Sequence, residues 1–257
     1  MTSAFDMPIL MGSRPLLDRL SKFQIYPLTF CMKRNEQVSS LIATYPGDEY
    51  RQAESIYLWI KLNIRYDYAK ATEFSSSPDS VGPIEIEDVP ANRKGVCQDF
   101  ATLAQQMFEK AGIQCVFIGG HAKQGGDQFF QNADSPLHAW NAVLLGGKWS
   151  LVDCTWASIS NAFGDSSDYY FITPPDELIY THYPDDQKWA LLSDPPGFEA
   201  FKKTPYVTSL FFSLPHGTVP KQGYLTTKSG VVEIPAVLNV DSMIEFMLED
   251  LQWRKGL

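Results

Sequence analysis

Long apolar runs are missing from this sequence: nowhere do about 18 consecutive apolar residues occur, so no segment reads as a membrane-spanning helix and no membrane insertion is expected. An excess of positive charge is missing too. With 21 Lys and Arg against 30 Asp and Glu the formal charge is −9, a surface that on average repels nucleic-acid backbones and anionic membranes, so no nucleic-acid partner is expected. Cysteine is scarce and scattered. Cys31, Cys97, Cys115 and Cys154 form no C-x-x-C pair, and neither a disulfide framework nor a zinc site follows from their spacing. The N-terminus shows no basic stretch ahead of an apolar one, and Pro8 breaks the run from Met7 to Met11, so the expected location is the cytoplasm, with a secreted effector as the open alternative. No D-x-D-x-D-G loop offers calcium a site, and no internal repeat is visible.

What is there suits a globular enzyme-sized chain. The 257 residues, 44% hydrophobic, can bury one sizeable core and a small second unit without disulfides. Residues 1–48 carry two helix-like patterns, Leu16-Leu17-Leu20-Phe23 and Val38-Leu41-Ile42-Tyr45, and read as a helical extension. Residues 49–204 read as the core. Within it Tyr50, Ala53, Ile56, Tyr57, Ile60 and Ile64 recur at helical spacing, and "RYDY" follows as a short strand or turn. Glu73 to Pro90, rich in Ser and Pro, reads as a long surface loop bordering a cleft. After Cys97 the stripe Phe100, Leu103, Ala104, Met107, Phe108 and Ala111 predicts a helix that ends at Gly112. "QCVFIGGHAK", "HAWNAVLL" and "WSLVDCTW" read as strands, the last two joined by a hairpin at Gly146 and Gly147. Residues 205–257 read as a small, mostly β unit, short or incomplete, whose last segment "SMIEFMLEDLQW" fits helix and strand alike. The fold class is therefore α+β.

Cys97 stands at the start of its helix, where free N–H groups and the helix dipole favour a thiolate, with Arg93 and Lys94 just before it. A nucleophilic thiol needs a base, and the base an orienting group. The hairpin can supply both. If Leu145 pairs with Lys148, Asp153 lies opposite Trp140 and Thr155 opposite His138, which puts His138 and Asp153 on one face as diagonal neighbours. A register shifted by one would part them. The plainer readings are a buried structural cysteine and a strand histidine satisfied by the backbone. Of the other histidines, His121 lies where it could line a cleft, His182 in "YTHYPDD" reads as fixing a turn, and His216 lies beyond the site. Asn141 points to the face opposite His138, and Asp99 and Asp168 read as a first-turn helix acid and a loop carboxylate. Tyr66, Gln98 and Trp140 complete the oxyanion and cleft candidates.

Three blocks, "GVCQDFATLAQQMFEKAGIQCVFIGG", "HAWNAVLLGGKWSLVDCTW" and "YYFITPPDELIYTHYPDDQKWALL", resemble the transglutaminase-like cysteine protease superfamily, the third being similar to its kyphoscoliosis peptidase, Cyk3 and hillarin branch. The resemblance spans about residues 50–213. It implies a papain-like core, nucleophile Cys97, base His138 and orienting Asp153, and acyl transfer on protein or peptide amides through a thioester, with no cofactor and no metal. Hydrolysis is the favoured outcome; glutamine deamidation and cross-linking are the alternatives. Some branch members have lost the cysteine and act as scaffolds, so a silent module with cytoskeletal partners is the rival expectation. His121 departs from the aromatic residue the branch carries there.

Overall fold

Amphipathic helices and alternating strands sort this chain into two layers. The computed structural model describes residues 34–76, 92–123, 137–159 and 168–207 together with 209 and 212. Helices α1 (Arg34–Ala43) and α2 (Glu49–Asn63) come first, α2 beginning where the Asp48 carboxylate accepts the Arg51 N–H at 3.0 Å. Ala53, Ile56, Tyr57 and Ile60 of α2 are buried as their spacing predicts. Tyr50 is not: in the first turn it stays half exposed, its ring set edge-on to Phe171.

Strand β1 (Arg65–Tyr66) pairs in parallel with β2 (Lys94–Gly95), which carries "RYDY" to the segment just before Cys97. Asp67 then accepts the Lys70 N–H at 3.1 Å and starts helix α3 (Tyr68–Ser76). The expected Glu73 to Pro90 loop is corrected accordingly: residues 73–76 are helical, and 77–90 lie outside the described residues. Helix α4 (Cys97–Lys110) buries Phe100, Leu103, Ala104, Met107 and Phe108 and ends before Gly112, whose φ of 81° requires a residue without a Cβ clash.

Strands β3 (Cys115–Ala122), β4 (Leu137–Leu145), β5 (Lys148–Val152), β6 (Phe171–Thr173) and β7 (His182–Pro184) form one antiparallel sheet in the order β6-β5-β4-β3-β7. The β4–β5 hairpin begins with Leu145 opposite Lys148, as read from the sequence. Its second strand is shorter than expected. Asp153 closes β5 by accepting the Trp156 N–H through Oδ1 at 2.9 Å, and the chain coils into α5 (Cys154–Ile159), so Thr155 lies in a helix and not opposite His138. One sheet face packs Ile118, Trp140, Ala142 and Leu151 against Leu178 of the short helix α6 (Pro175–Leu178). The other face meets α4, where Asn141 Nδ2 donates to the Ala101 carbonyl at 2.9 Å.

Helix α7 (Phe198–Lys203) closes the described core, its last carbonyls taken by the buried Lys123 ammonium, which bonds to Phe201 and Thr204. The Leu16 to Phe23 pattern, His216 and nearly all of the 205–257 unit lie outside the described residues. Among the described residues no helix is long and apolar enough to cross a membrane.

Candidate active site

The first turn of α4 is fixed by a buried carboxylate. Asp99, fully buried, accepts the Val96 N–H at 2.8 Å and receives the Lys70 ammonium at 2.9 and 3.2 Å. Gly95 makes this approach possible, since a Cβ there would lie 2.6 Å from the Asp99 Cβ. Cys97, partly exposed, therefore sits on an anchored helix start, where the first backbone N–H groups have no intrahelical partner. Of the two cations before it, Arg93 donates to Asn63 at 3.3 Å and Lys94 is exposed.

His138 enters from the beginning of β4, and its Nε2 lies 2.7 Å from Asp153 Oδ2. Both groups are almost wholly buried. Burial alone would lower the pKa of His138, but the charge of Asp153, its hydrogen bond and the neighbouring Cys97 prevail and push it up to about 10. Burial opposes ionisation of Asp153 as well. The charge and hydrogen bond of His138, with those of His182, hold its carboxyl well below the usual range nonetheless. With Nε2 given to Asp153, Nδ1 is the ring nitrogen left for the thiol of Cys97.

His182 is the residue the sequence reading misplaced. It does not merely fix a turn: from β7 its Nε2 reaches the same Asp153 Oδ2 at 3.0 Å, and its Nδ1 lies 2.8 Å from the Thr181 hydroxyl. Burial, and then the His138 cation, lower its pKa against the pull of Asp153, so it is held neutral. Beside an ionised carboxylate a neutral ring must present Nε2–H, which leaves Nδ1 to accept the Thr181 O–H. The third block of the sequence contained this histidine. Its partner was invisible there because 29 residues separate it from Asp153.

Aromatic rings close the site. Trp156 lies against both histidines, with ring centroids 4.5 Å from His182 and 5.6 Å from His138. Trp140, expected as a cleft or oxyanion candidate, is buried beside the same two rings, and its indole nitrogen has no partner. His121 stands on the opposite face of β3 from Gly120, the partner of His138, and packs on Phe198 with Asp185 3.7 Å away; it does not line the site. Gln98 is exposed at the second helical position. Tyr66 lies close enough to feel the charge of Cys97, and burial, with Cys97, Tyr68 and Asp99 adding to it, pushes its phenol up to about 12, so it keeps its proton and can donate. Asp168 is a loop carboxylate, 3.5 Å from Lys61.

The ligand-type atoms of His138, Asp153 and His182 lie within 4.8 Å of one another, the only such group among the described residues. Each has a hydrogen-bond partner inside the group.

A sequence model of the Transglutaminase-like superfamily matches residues 36–154, which include Cys97, His138 and Asp153 but not His182. The chain is 31% identical to the kyphoscoliosis peptidase of Mus musculus over 85% of its own length and 33% of that protein's. It is 34% identical to hillarin of Drosophila melanogaster, over 77% of this chain and 27% of that one. To cytokinesis protein 3 of Schizosaccharomyces pombe it is 26% identical, over 47% of this chain and 14% of the other. The chain thus spans about a third of the length of these curated relatives or less.

Proposed function

Because the chain carries a domain of the transglutaminase-like superfamily, we propose that it is a thiol acyl-transfer enzyme acting on protein amides, with peptide hydrolysis as its favoured outcome. The observation that carries the reading is the 2.7 Å contact of His138 with Asp153 beside a cysteine at an anchored helix start. In this reading Asp153 holds His138 as the imidazolium, so that Cys97 rests beside its Nδ1–H as the thiolate of an ion pair. The thiolate attacks an amide carbonyl. Negative charge on the resulting tetrahedral oxygen is met by N–H groups at the start of α4, with the Tyr66 hydroxyl as a second donor. His138 then gives that Nδ1 proton to the departing amine, leaving a thioester on Cys97.

The acceptor decides the product. Water gives a cleaved peptide, or a deamidated glutamine where the acyl group came from a side chain; a lysine amine gives a cross-link. A cytoplasmic setting and a protein or peptide substrate belong to the same reading. A non-catalytic interaction module is the second reading, favoured by the likeness to a cytokinesis protein.

Incubating a soluble proteome with the chain and with its Cys97→Ser variant, followed by mass spectrometry for new termini, deamidated glutamine and Gln–Lys links, separates these outcomes. New peptide termini that depend on Cys97 are expected. The enzyme reading fails if none of the three products depends on Cys97.

A further inference from the structure

We propose that His182 is a positioning residue of this site, holding Asp153 by the same oxygen that holds His138 and so setting the orientation in which the carboxylate meets the base. The inference rests on the reading of Cys97, His138 and Asp153 given above.

Asp153 receives three fixed donors: the Trp156 N–H on Oδ1 at 2.9 Å, and on Oδ2 the His138 ring at 2.7 Å and the His182 ring at 3.0 Å. Without His182, Oδ2 would keep only the group it is meant to orient, and the Trp156 N–H on Oδ1 would be the one remaining fixed bond against rotation of the carboxylate. His182 cannot itself serve as base for Cys97. Its Nε2 is committed to Asp153 and its Nδ1 to Thr181, so no nitrogen is left for the thiol.

The sheet is built to bring the two rings together. On β3, Gly120 pairs with His138 of β4 and Ala122 with His182 of β7, which puts both histidines on one face across small residues. Their ring centroids are 5.3 Å apart. A Cβ at Gly120 would lie 2.2 Å from the Tyr183 carbonyl oxygen and 2.7 Å from the Trp140 ring, so the close approach of β7 depends on this glycine. A packing role alone would call for an apolar ring here, since a buried neutral imidazole costs desolvation and needs partners at both nitrogens. The span matched by the superfamily ends at residue 154, so this support comes from β7, outside that span.

The ionisable groups around Asp153 are His138 from β4, His182 from β7, Tyr57 from α2 and Cys154 from α5, with Cys97 beyond His138. Of these only the two histidines favour its charged form. Removing His182 therefore lets Asp153 take a proton at higher pH.

The test uses the full chain and needs no substrate: the rate at which iodoacetamide alkylates Cys97 across pH, with thermal unfolding measured in parallel. His182→Phe keeps a ring but removes both nitrogens, His182→Gln keeps an N–H for Asp153, and Thr181→Val removes the hydroxyl that partners His182 Nδ1. His182→Phe is expected to slow alkylation about tenfold or more, as loss of a hydrogen bond to a charged group implies, and to move the acid limb of the profile upward. His182→Gln should recover most of the rate, and Thr181→Val should fall between. If His138→Ala is slow while His182→Phe matches wild type, the positioning role is wrong and the triad stands. Equal loss in His182→Phe and His182→Gln would mean packing alone and would also overturn the proposal. Should His182→Phe fail to fold, His182→Gln and Thr181→Val still decide it: Thr181→Val must be slower. If His138→Ala reacts like wild type, the underlying reading itself fails.

Discussion

Asp153 accepts three N–H groups in a space that is almost wholly closed to water, and this makes it the least replaceable side chain of the site. Asp153→Asn removes the charge that favours the imidazolium of His138 and turns an amide N–H toward donors it cannot accept from. Its kcat is expected to fall on the order of 10³–10⁴-fold, as for the orienting aspartate of other triads, with KM little changed in steady-state assays of whichever product reaction is found. A fall of less than tenfold would mean that His138 needs no orienting partner. Cys97 was read from its place at a helix start. His138 and Asp153 could be placed on one face from the sequence because a hairpin register is local arithmetic: two glycines fix the turn, and counting outward fixes the faces. His182 could not be reached that way. Its contact with Asp153 depends on β7 pairing with β3 across the sheet, and nothing within its own segment encodes the partner.

Each element end near the site is set by a side chain that the periodicity of apolar residues does not register. Cys97 is presented by α4 because Asp99 caps Val96 and binds Lys70, and because Gly95 leaves room for that carboxylate. Lys70→Ala would leave the Asp99 charge buried with a single donor, so unfolding should cost about 3 kcal/mol less in urea denaturation, the lower end for breaking a buried pair since Lys70 is partly exposed. No loss of stability in that variant would mean that the pair is not what anchors the helix start. The sequence made α4 and β3 legible at near-residue precision, since long stripes and alternation average over many positions. It misjudged the end of β5, where the strand pattern through "DCTW" was overridden by one carboxylate that starts a helix. After β1 the helix α3 that Asp67 starts runs on through residues 73–76, into what composition marked as loop.

For the molecule as a whole the buried network ties stability to pH in both directions. His138 has its pKa raised to about 10 in the fold against about 6.5 unfolded, so its contribution is full below pH 6.5 and is lost as pH rises toward 10. His182 is shifted the opposite way. Its neutral form is the folded one, so stability falls as pH drops below about 6.5, where the unfolded chain binds a proton that the folded one refuses. Asp153 adds a further loss at lower pH, as the pH falls through the unfolded carboxylate range and below. Thermal midpoints measured across pH should therefore peak near neutrality, with the alkaline slope flattened in His138→Ala and the slope below neutrality flattened in His182→Phe. Slopes unchanged in both variants would show that the network does not titrate with folding. The central claim, that Cys97 works as a nucleophile activated by His138, is tested most directly by its alkylation rate across pH in the wild type and in His138→Ala. Fast reaction is expected in the wild type well below the ordinary thiol range of about pH 8.5, lost in the variant; a Cys97 that reacts alike in both, and only as an ordinary thiol does, would show that His138 does not activate it.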